Sequence, residues 1–314
     1  MRWFIRAFVG GIALAACGLP GPDRAHVDVL FGLDGNRLVP AASTAAQREL
    51  GRLLFGTPSG GSSCAQCHPR SQLGQDGRVH GRDTPALADV TRQVLFGRDG
   101  RERDLSAFVQ REFAQRLGLA DDVAVAAWVA QNPPLQAAFA AAGSGPSLAA
   151  AAQAVGAHLA TWRTESRWDR YVDGDDEALS RLEGHGLAKF VEVGCAACHG
   201  GRSLGGVSAH VLGAAVPFPS TDPGRELATG EASDRNVWKA PMLRHAAGTG
   251  PWLHDGSVAS LEQAVRLMGK HELGKELDDA EVAAIAAFLR AVADAEPTTH
   301  AAAAVLQPGV QHGR

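Results

Sequence analysis

The sequence predicts an all-α protein of about two domains. Its 314 residues contain many alanine-rich segments and few runs of β-branched residues, which favours helices over strands. Apolar residues recur at helical spacing in several of these segments. A short motif of two cysteines and a histidine occurs twice, each time after such a segment. Together these observations predict two helical domains that each carry one copy of the motif.

The clearest predicted helix is LDDAEVAAIAAFLRAVADAEP, near the C-terminal end. Asp278 can cap its first amides while Glu281 reaches back, and Pro297 follows its last turn. Its apolar residues recur every three or four positions, at Val282, Ile285, Phe288, Leu289 and Val292. Similar patterns predict three more helices, over residues 43–55, 147–162 and 178–194.

The N-terminal segment has the layout of an export signal. Arg2 and Arg6 precede a short apolar run that ends in small residues and is too short to span a bilayer. The run closes on LAAC, which resembles a bacterial lipobox with cleavage before Cys17; an ordinary signal peptide with an incidental cysteine is the alternative. Gly18 follows instead of aspartate, which by resemblance to bacterial lipoproteins favours the outer membrane. We therefore expect a periplasmic protein whose only membrane contact is the lipidated Cys17.

Lipidation of Cys17 predicts a simple fractionation result. Acyl chains on the new N-terminus should hold the protein in membrane fractions, and Cys17→Ala should release it because the anchor is lost. Immunoblots of membrane and periplasmic fractions measure this. Wild-type protein that is freely soluble in the periplasm would contradict the prediction.

Breaker-rich segments divide the mature chain. Residues 132–147 and 173–176 are rich in glycine, proline or aspartate, and the second segment is the predicted domain boundary. The predicted organisation is a signal peptide over 1–16, a tether over 17–43, an N-terminal domain over 44–175, a C-terminal domain over 176–298 and a tail over 299–314.

Charge and hydropathy exclude two classes of partner. The formal net charge of -4 carries no signature of nucleic-acid binding. No stretch beyond the export signal is apolar enough to cross a membrane. The chemistry of the chain must therefore be sought in its motifs.

Four of the five cysteines belong to two CxxCH motifs. The motif residues are Cys64, Cys67, His68, Cys195, Cys198 and His199. Two thiols at this spacing can form thioethers with the two vinyl groups of haem, and the adjacent histidine is then held as an iron ligand. A redox pair or half of a zinc site would be alternatives for a single copy. Two copies on an exported helical chain, with no cysteines left for disulfides, favour two covalently bound haem c groups.

A longer segment resembles a known family. The run DPGRELATGEASDRNVWKAPMLRHAAGTGPWLHDGSVASLEQAVRLMGK, which begins at Asp222, is similar to the C-terminal haem domain of the bacterial di-haem cytochrome c peroxidases. That family includes the maturation enzyme of methylamine dehydrogenase. The shared features are the GR, TG and DR run, the KxPxLR turn and the HDGSVxSLEQAV helix start, and weaker similarity covers most of the mature chain.

The resemblance implies an architecture and a function. It implies two cytochrome c-type haem domains packed against each other, the N-terminal one peroxidatic and the C-terminal one receiving electrons. It also implies hydrogen peroxide as substrate and a small periplasmic electron donor, either a cytochrome c or a cupredoxin, and it raises a homodimer as an arrangement of the chains.

The resemblance also implies sixth ligands for the irons. Met268 matches the methionine that ligates the second haem iron of the peroxidases, and Met242, in the KAPMLR turn, is the rival. A tyrosine takes this place in the maturation enzyme, but Tyr171 lies far from it in the sequence. His80 resembles the histidine that caps the first iron of the resting peroxidases and leaves on activation, although a surface histidine is the alternative.

A calcium site between the haems is the third implication. Asp83 falls where the family has an asparagine that helps to bind calcium. Thr249 and Pro251 match the residues whose carbonyls complete the site. A hard cation favours such oxygen ligands, and an aspartate can supply one.

The chain departs from the family at the peroxide site. The Asp99-Gly100-Arg101 turn is kept, but Arg98 stands where the family has a tryptophan that bridges the haems. Phe108 stands where a glutamine is expected, and the segment that delivers the distal glutamate is missing. Glu112 and Gln110 are the remaining candidates for an acid or base, and the alternative that neither acts stays open.

Three functions therefore remain in view. The first is a di-haem peroxidase in which electrons pass from the haem ligated by Met268 to the haem on His68. The second is a two-haem electron carrier whose first iron stays blocked by His80. The third is an oxidase that matures a partner protein, against which the missing tyrosine ligand and bridging tryptophan count.

Overall fold

Helices carry most of the chain in the computed structural model, which describes residues 21, 23–32, 43–293 and 295–296. The predicted signal peptide, Cys17 and the tail lie outside the described residues. The helices are α1 (Arg24–Phe31), α2 (Ala45–Gly56), α3 (Cys64–Cys67), α4 (Leu105–Leu117), α5 (Asp122–Ala130), α6 (Pro133–Ala141), α7 (Leu148–Leu159), α8 (Arg167–Val172), α9 (Arg181–Val193), α10 (Glu226–Thr229), α11 (Leu261–Leu273) and α12 (Asp279–Ala293). Within these ranges no helix has the length and apolar character needed to cross a membrane.

The predicted helix starts are confirmed in detail. At α12 the carboxylate of Glu281 accepts a hydrogen bond from the Asp278 amide at 3.1 Å, and Asp278 accepts one from the Glu281 amide at 2.8 Å. Thr44 with Gln47 forms the same reciprocal cap at α2, and Ser180 does so with its third following residue at α9. These short-range hydrogen bonds satisfy amides that have no partner inside the helix.

Short strands are the first difference from the prediction of an all-α chain. In the described part of the chain, six strands of two or three residues form three antiparallel pairs. They are β1 (Val79–His80) with β2 (Arg82–Asp83), β3 (Glu165–Ser166) with β6 (Ala295–Glu296), and β4 (Ala209–Val211) with β5 (Val237–Lys239). The chain is thus mostly helical, and the strand pairs pin loops that the helices leave between them.

Two segments that were predicted to be a breaker-rich connection and a tether also contain helices. The breaker-rich segment 132–147 contains α6, because Pro133 occupies the first helical turn, where a missing amide hydrogen costs nothing. The predicted tether contains α1, whose Val27 and Phe31 are fully buried. Phe31 packs edge-on against Trp168, with ring centroids 5.2 Å apart. Part of the tether is therefore an element of the second hydrophobic core.

The chain buries two hydrophobic cores. One draws on residues between Leu50 and Trp162, and the other on α1 and residues between Trp168 and Val292. The predicted boundary at 175/176 stays a prediction, but the two clusters divide at the short segment between these tryptophans.

A glycine at the main helix crossing is common to both cores. A β-carbon on Gly51 of α2 would lie 1.9 Å from the carbonyl oxygen of Ala154 in α7. A β-carbon on Gly186 of α9 would lie 1.9 Å from the carbonyl oxygen of Ala284 in α12. No other residue allows two backbones to approach so closely. In each core, the helix that precedes the CxxCH motif therefore crosses the last helix at a glycine.

Buried charges join the two cores. Asp89, from the first, accepts hydrogen bonds from Arg244 at 3.2 Å and from the Nε2 of His245 at 2.9 Å. Arg244 also pairs with Asp169 at 2.7 Å, and its side chain and that of Asp89 are both fully buried. An ion pair in such surroundings is sensitive to loss of either partner.

Candidate haem sites

The first CxxCH motif is folded into one helical turn. α3 is capped at Ser63, whose amide donates to the Gln66 side chain at 3.0 Å. The His68 amide bonds back to the carbonyl of Cys64 at 2.9 Å. The Nδ1 of His68 lies 2.6 Å from the carbonyl oxygen of Gly74, to which it can donate. Burial lowers the pKa of His68, so the ring is held neutral, the form in which an imidazole binds iron.

The second motif has a similar arrangement, but it follows its preceding helix directly, after a single glycine. α9 ends at Gly194, whose φ of 108° turns the chain sharply into a 3-10 turn over Cys195–Ala197. The Nδ1 of His199 lies 3.0 Å from the carbonyl oxygen of Pro241 and 3.3 Å from that of Leu204. Burial lowers the pKa of His199 to about 4. This ring too is neutral and fixed in orientation.

Both motifs fit haem c. Among the described residues each imidazole hydrogen-bonds through Nδ1, so Nε2 is the atom that can bind iron. This is the usual orientation of a histidine that ligates a metal. All four motif thiols are free and partly buried. Burial raises the pKa values of Cys64 and Cys195 to about 12. The thiols of each motif lie in the same turn as its histidine, the arrangement of a CxxCH haem attachment site.

The structure describes the side chains of both candidate methionine ligands, but only the backbone of His80. Met268 lies half-buried on α11, and Met242 lies half-buried one residue after Pro241. His80 ends β1, where its backbone pairs with Arg82 across Gly81; its side chain lies outside the described part of the structure. The backbone places His80 in a hairpin that follows the first motif.

Glu112 is one of the acidic residues that the structure brings near the first motif, with Asp76 near His68 as another. Glu112 lies on α4, pairs with Arg116 at 3.5 Å and is about one-third exposed, with 35% of the side chain accessible. Burial is the main cause of the raised pKa of Cys64, and the negative charge of Glu112 is the second cause. Gln110 lies two residues earlier and donates instead to Ser106 on its own helix at 3.4 Å. Of the two side chains, Glu112 is the one whose charge acts on the first motif.

Phe108 belongs to the apolar surroundings of this site. It packs against the first core and stacks on Phe96, with ring centroids 6.3 Å apart. It cannot donate or accept a proton, so any proton transfer here must use another side chain.

The residues predicted to hold calcium come together, but they already have partners. The side-chain amide of Gln75 donates to the carbonyl of Thr249 at 3.0 Å, to that of Gly250 at 3.3 Å and to the Asp83 carboxylate at 3.3 Å. Pro251 follows directly, after a cis peptide bond. Gln75 was not predicted from the sequence, in which its position directly after Gly74 in the first haem loop is its one distinguishing feature.

Arg98 fills the other side of the same cluster. Its guanidinium binds the Asp83 carboxylate, and its Nε donates to the Asp83 carbonyl at 3.0 Å. No group of three or more histidine, cysteine, aspartate or glutamate side chains that could hold a metal occurs in the described ranges. As arranged, Asp83 and Thr249 do not fit a calcium ion, because Arg98 neutralises the carboxylate and the Gln75 amide donates to the Thr249 carbonyl.

A second stack missed from the sequence lies beside Arg98. Trp238 of β5 is sandwiched between the imidazole of His254, at 4.1 Å, and the guanidinium of Arg82, at 4.7 Å. Arg82 is held in turn by Asp222 at 2.7 Å and by Asp99 at 2.8 Å. Arg82 thus joins the two halves of the chain, and Asp99, in the retained turn, helps to hold it in place.

Comparison with known proteins decides the family. A family model described as di-haem cytochrome c peroxidase matches residues 45–177, and a cytochrome c model matches residues 186–293. The cytochrome c551 peroxidase of Pseudomonas aeruginosa is 33% identical over 275 residues, which cover 80% of each chain. The chain belongs to the di-haem cytochrome c peroxidase family. The enzyme of the same name from Nitrosomonas europaea is 32% identical over 81% of each chain.

Family membership confirms the main predictions. This di-haem cytochrome c peroxidase-like protein is an oxidoreductase with two covalently bound haem c groups. Its fold is shared with a solved structure described as a MauG-like protein associated with microbial copper homeostasis, with a TM-score of 0.67 and 23% identity over 81% of this chain and 91% of that one. The export signal, lipid anchor and electron donor stay predictions.

Proposed function

We propose that the protein reduces hydrogen peroxide to water at the first haem site, with electrons that enter at the second site from a small periplasmic donor. The observation that carries this proposal is the position of Glu112, an ionisable carboxylate near the first CxxCH motif. A protein that only carries electrons needs no proton carrier at this point. The names of the relatives, which are cytochrome c peroxidases, support the same substrate.

In this proposal the motif residues hold the two haems. Cys64 and Cys67 form the thioethers at the first site, and Cys195 and Cys198 those at the second. The two histidines that follow are the iron ligands, each oriented by the carbonyl bound at its Nδ1. When bound, the haems supply the iron at which peroxide binds and the electrons for its reduction.

Glu112 has the role of moving a proton. Reduction of H₂O₂ to two water molecules takes up two electrons and two protons, and the oxygen–oxygen bond breaks more readily when its leaving oxygen is protonated. The Glu112 carboxylate would accept the proton from one peroxide oxygen and return it to the other. Arg116 holds the carboxylate on its solvent side, and Phe108 keeps the adjoining surface apolar. A positioned acid and base of this kind typically contributes about 10²- to 10⁴-fold in rate.

Met268 is the proposed sixth ligand of the second iron. The carbonyl of Pro241 binds the Nδ1 of His199, so Nε2 is the ring atom that would hold iron. Met242 follows Pro241 directly, so its backbone lies on the Nδ1 side of the His199 ring, and a second ligand would have to come from elsewhere in the chain. Met268, on the separate helix α11, is free of this restriction.

Substitution of each methionine in turn tests which of the two ligates the second haem iron, by absorption spectrum and reduction potential. Met268→Ala should lower the reduction potential of the second haem and abolish its methionine-type red absorption band, because a soft axial sulfur stabilises ferrous iron. Met242→Ala is the matched control and should leave both unchanged. Intact mass must first show two haems in each variant. The assignment is wrong if the band is lost from Met242→Ala and kept in Met268→Ala.

His80 is the proposed gate of the first site. In the oxidised protein it blocks the face at which peroxide would bind, and it moves away when the second haem is reduced. His80→Gly should therefore remove the need for prior reduction, and it should give a high-spin ferric signal in the electron paramagnetic resonance spectrum of the fully oxidised protein.

Rapid mixing of half-reduced protein with peroxide tests the function itself. The first haem should react within the mixing experiment in both wild type and His80→Gly, whereas only the variant should react when fully oxidised. If the first haem of the half-reduced protein stays six-coordinate and low-spin while electrons still pass to a mediator, the protein is an electron carrier and the peroxidase proposal fails.

A further inference from the structure

The predicted calcium position is occupied by two side chains of the chain itself. Asp83 is 3% exposed, and both of its carboxylate oxygens are engaged, Oδ2 by Arg98 and Oδ1 by Gln75. The amide of Gln75 is also the donor to the carbonyls of Thr249 and Gly250. A single guanidinium and a single amide thus contact both Asp83 carboxylate oxygens and the Thr249 carbonyl, which belong to two of the three residues predicted to bind calcium.

The positive charge of Arg98 in this cluster argues against a calcium ion beside it. A guanidinium stays protonated in proteins, so Arg98 and Asp83 together carry no net charge. A calcium ion at the same point would lie beside a fixed positive charge that is mostly buried, with 21% of the Arg98 side chain exposed. Like charges at this distance repel strongly where water is excluded.

The cluster is connected to both haem sites by short stretches of backbone. Gln75 follows Gly74, whose carbonyl is bound to the His68 ring. The Arg98 carbonyl accepts a hydrogen bond at 3.0 Å from the amide of Lys239. Two residues beyond Lys239 lies the carbonyl that is bound to the His199 ring. Gln75 is therefore linked to the histidine of the first site, and Arg98 to the histidine of the second.

We infer that Arg98 and Gln75 take the place of a calcium ion between the two haem sites, so that this protein holds the sites in register without any divalent metal. The inference rests on the two-haem architecture of the proposed function, and it is independent of peroxide turnover. Arg98 is in this view a positioning residue, because it stands at the position of the family's bridging tryptophan and binds Asp83 instead.

Metal content and haem potentials of the wild-type holoprotein give the first test. Protein passed over a chelating resin should contain no calcium by mass spectrometry. Its two reduction potentials and its electron paramagnetic resonance spectrum should be the same with added calcium and with added chelator. One calcium ion per chain, or a chelator-dependent change in either haem, would overturn the inference whether or not the protein reduces peroxide.

A variant that removes both side chains gives the second test. Arg98→Ala with Gln75→Ala frees the Asp83 carboxylate and the Thr249 carbonyl. It should bind one calcium ion in calorimetry with a dissociation constant of about 10⁻⁴ to 10⁻³ M, the range of weak protein sites. Arg52→Ala, which breaks an exposed pair with Glu49, is the matched control and should bind none.

Both outcomes of the variant experiment are informative. A double variant that keeps two haems and takes up no calcium would contradict the idea that these side chains fill a cation site. If the double variant loses its haems, the wild-type measurement decides alone, since it needs no substitution.

Discussion

Glu112→Gln is expected to lower the rate of peroxide reduction by about 10²- to 10⁴-fold, the usual contribution of a positioned acid and base. The substitution keeps the shape of the side chain and removes its ability to accept a proton. Absorption spectra and reduction potentials of both haems should be unchanged, because Glu112 contacts neither proximal histidine in the described structure. Rapid mixing of half-reduced variant and wild type with peroxide measures the ratio of rates.

Gln110→Ala is the matched control for this prediction. Gln110 lies on the same helix and donates to Ser106, so its loss should change the rate by less than the loss of the carboxylate. If Gln110→Ala slows the reaction and Glu112→Gln does not, the roles of the two residues are exchanged. Equal rates in both variants and the wild type would show that proton transfer uses neither.

Asp89→Asn is expected to lower the free energy of unfolding by about 3–5 kcal/mol, the usual cost of breaking a buried ion pair. Asp89 is fully buried and binds Arg92 at 2.8 Å, Thr164 at 2.5 Å and His245 at 2.9 Å, in addition to Arg244. Loss of its charge leaves two guanidinium groups buried without their shared partner. Because the cluster joins the two cores, the loss also weakens their contact.

The same residue predicts how stability depends on pH. Burial by itself raises the pKa of Asp89, but the hydrogen bond from His245 and the charges of Arg244 and Arg92 outweigh it and hold the pKa well below its usual range. A carboxyl whose pKa is depressed in the folded state contributes its full stabilisation above the unfolded value of about 3.9. This contribution is then lost as the pH falls below that value.

Denaturant titrations at neutral and acidic pH test both statements. Wild type should lose stability on acidification, and Asp89→Asn should lose less, because it no longer has this carboxyl to protonate. Glu262→Gln, which breaks an exposed pair with Arg290, is the control and should cost about 0–1 kcal/mol. A cost at Asp89 no larger than that of the control would refute the assigned role.

Local chemistry explains what could be predicted from the sequence. Asp278 and Glu281 are three residues apart, and that spacing alone is enough to form the cap at α12. The two CxxCH motifs likewise carry their function within five residues, so the haem attachment sites needed no knowledge of the fold.

Helix geometry distinguishes two residues that the sequence left as alternatives. Glu112 and Gln110 were both candidates for an acid or base, and residues two positions apart on a helix point to different sides. In the folded chain the charge of Glu112 acts on Cys64, whereas the Gln110 side chain is bonded to Ser106. The catalytic role of Glu112 stays a prediction.

Tertiary structure alone decided the contents of the predicted calcium position. The sequence by itself determined the family, the two haem c attachment sites and the main helices, because each is encoded by residues close together in the chain. Gln75 and Thr249 are 174 positions apart, and Asp89 and Arg244 are 155 positions apart. Hydrogen bonds over such separations form only after the two cores have packed, so no local pattern reports that an amide and a guanidinium stand where a cation was expected.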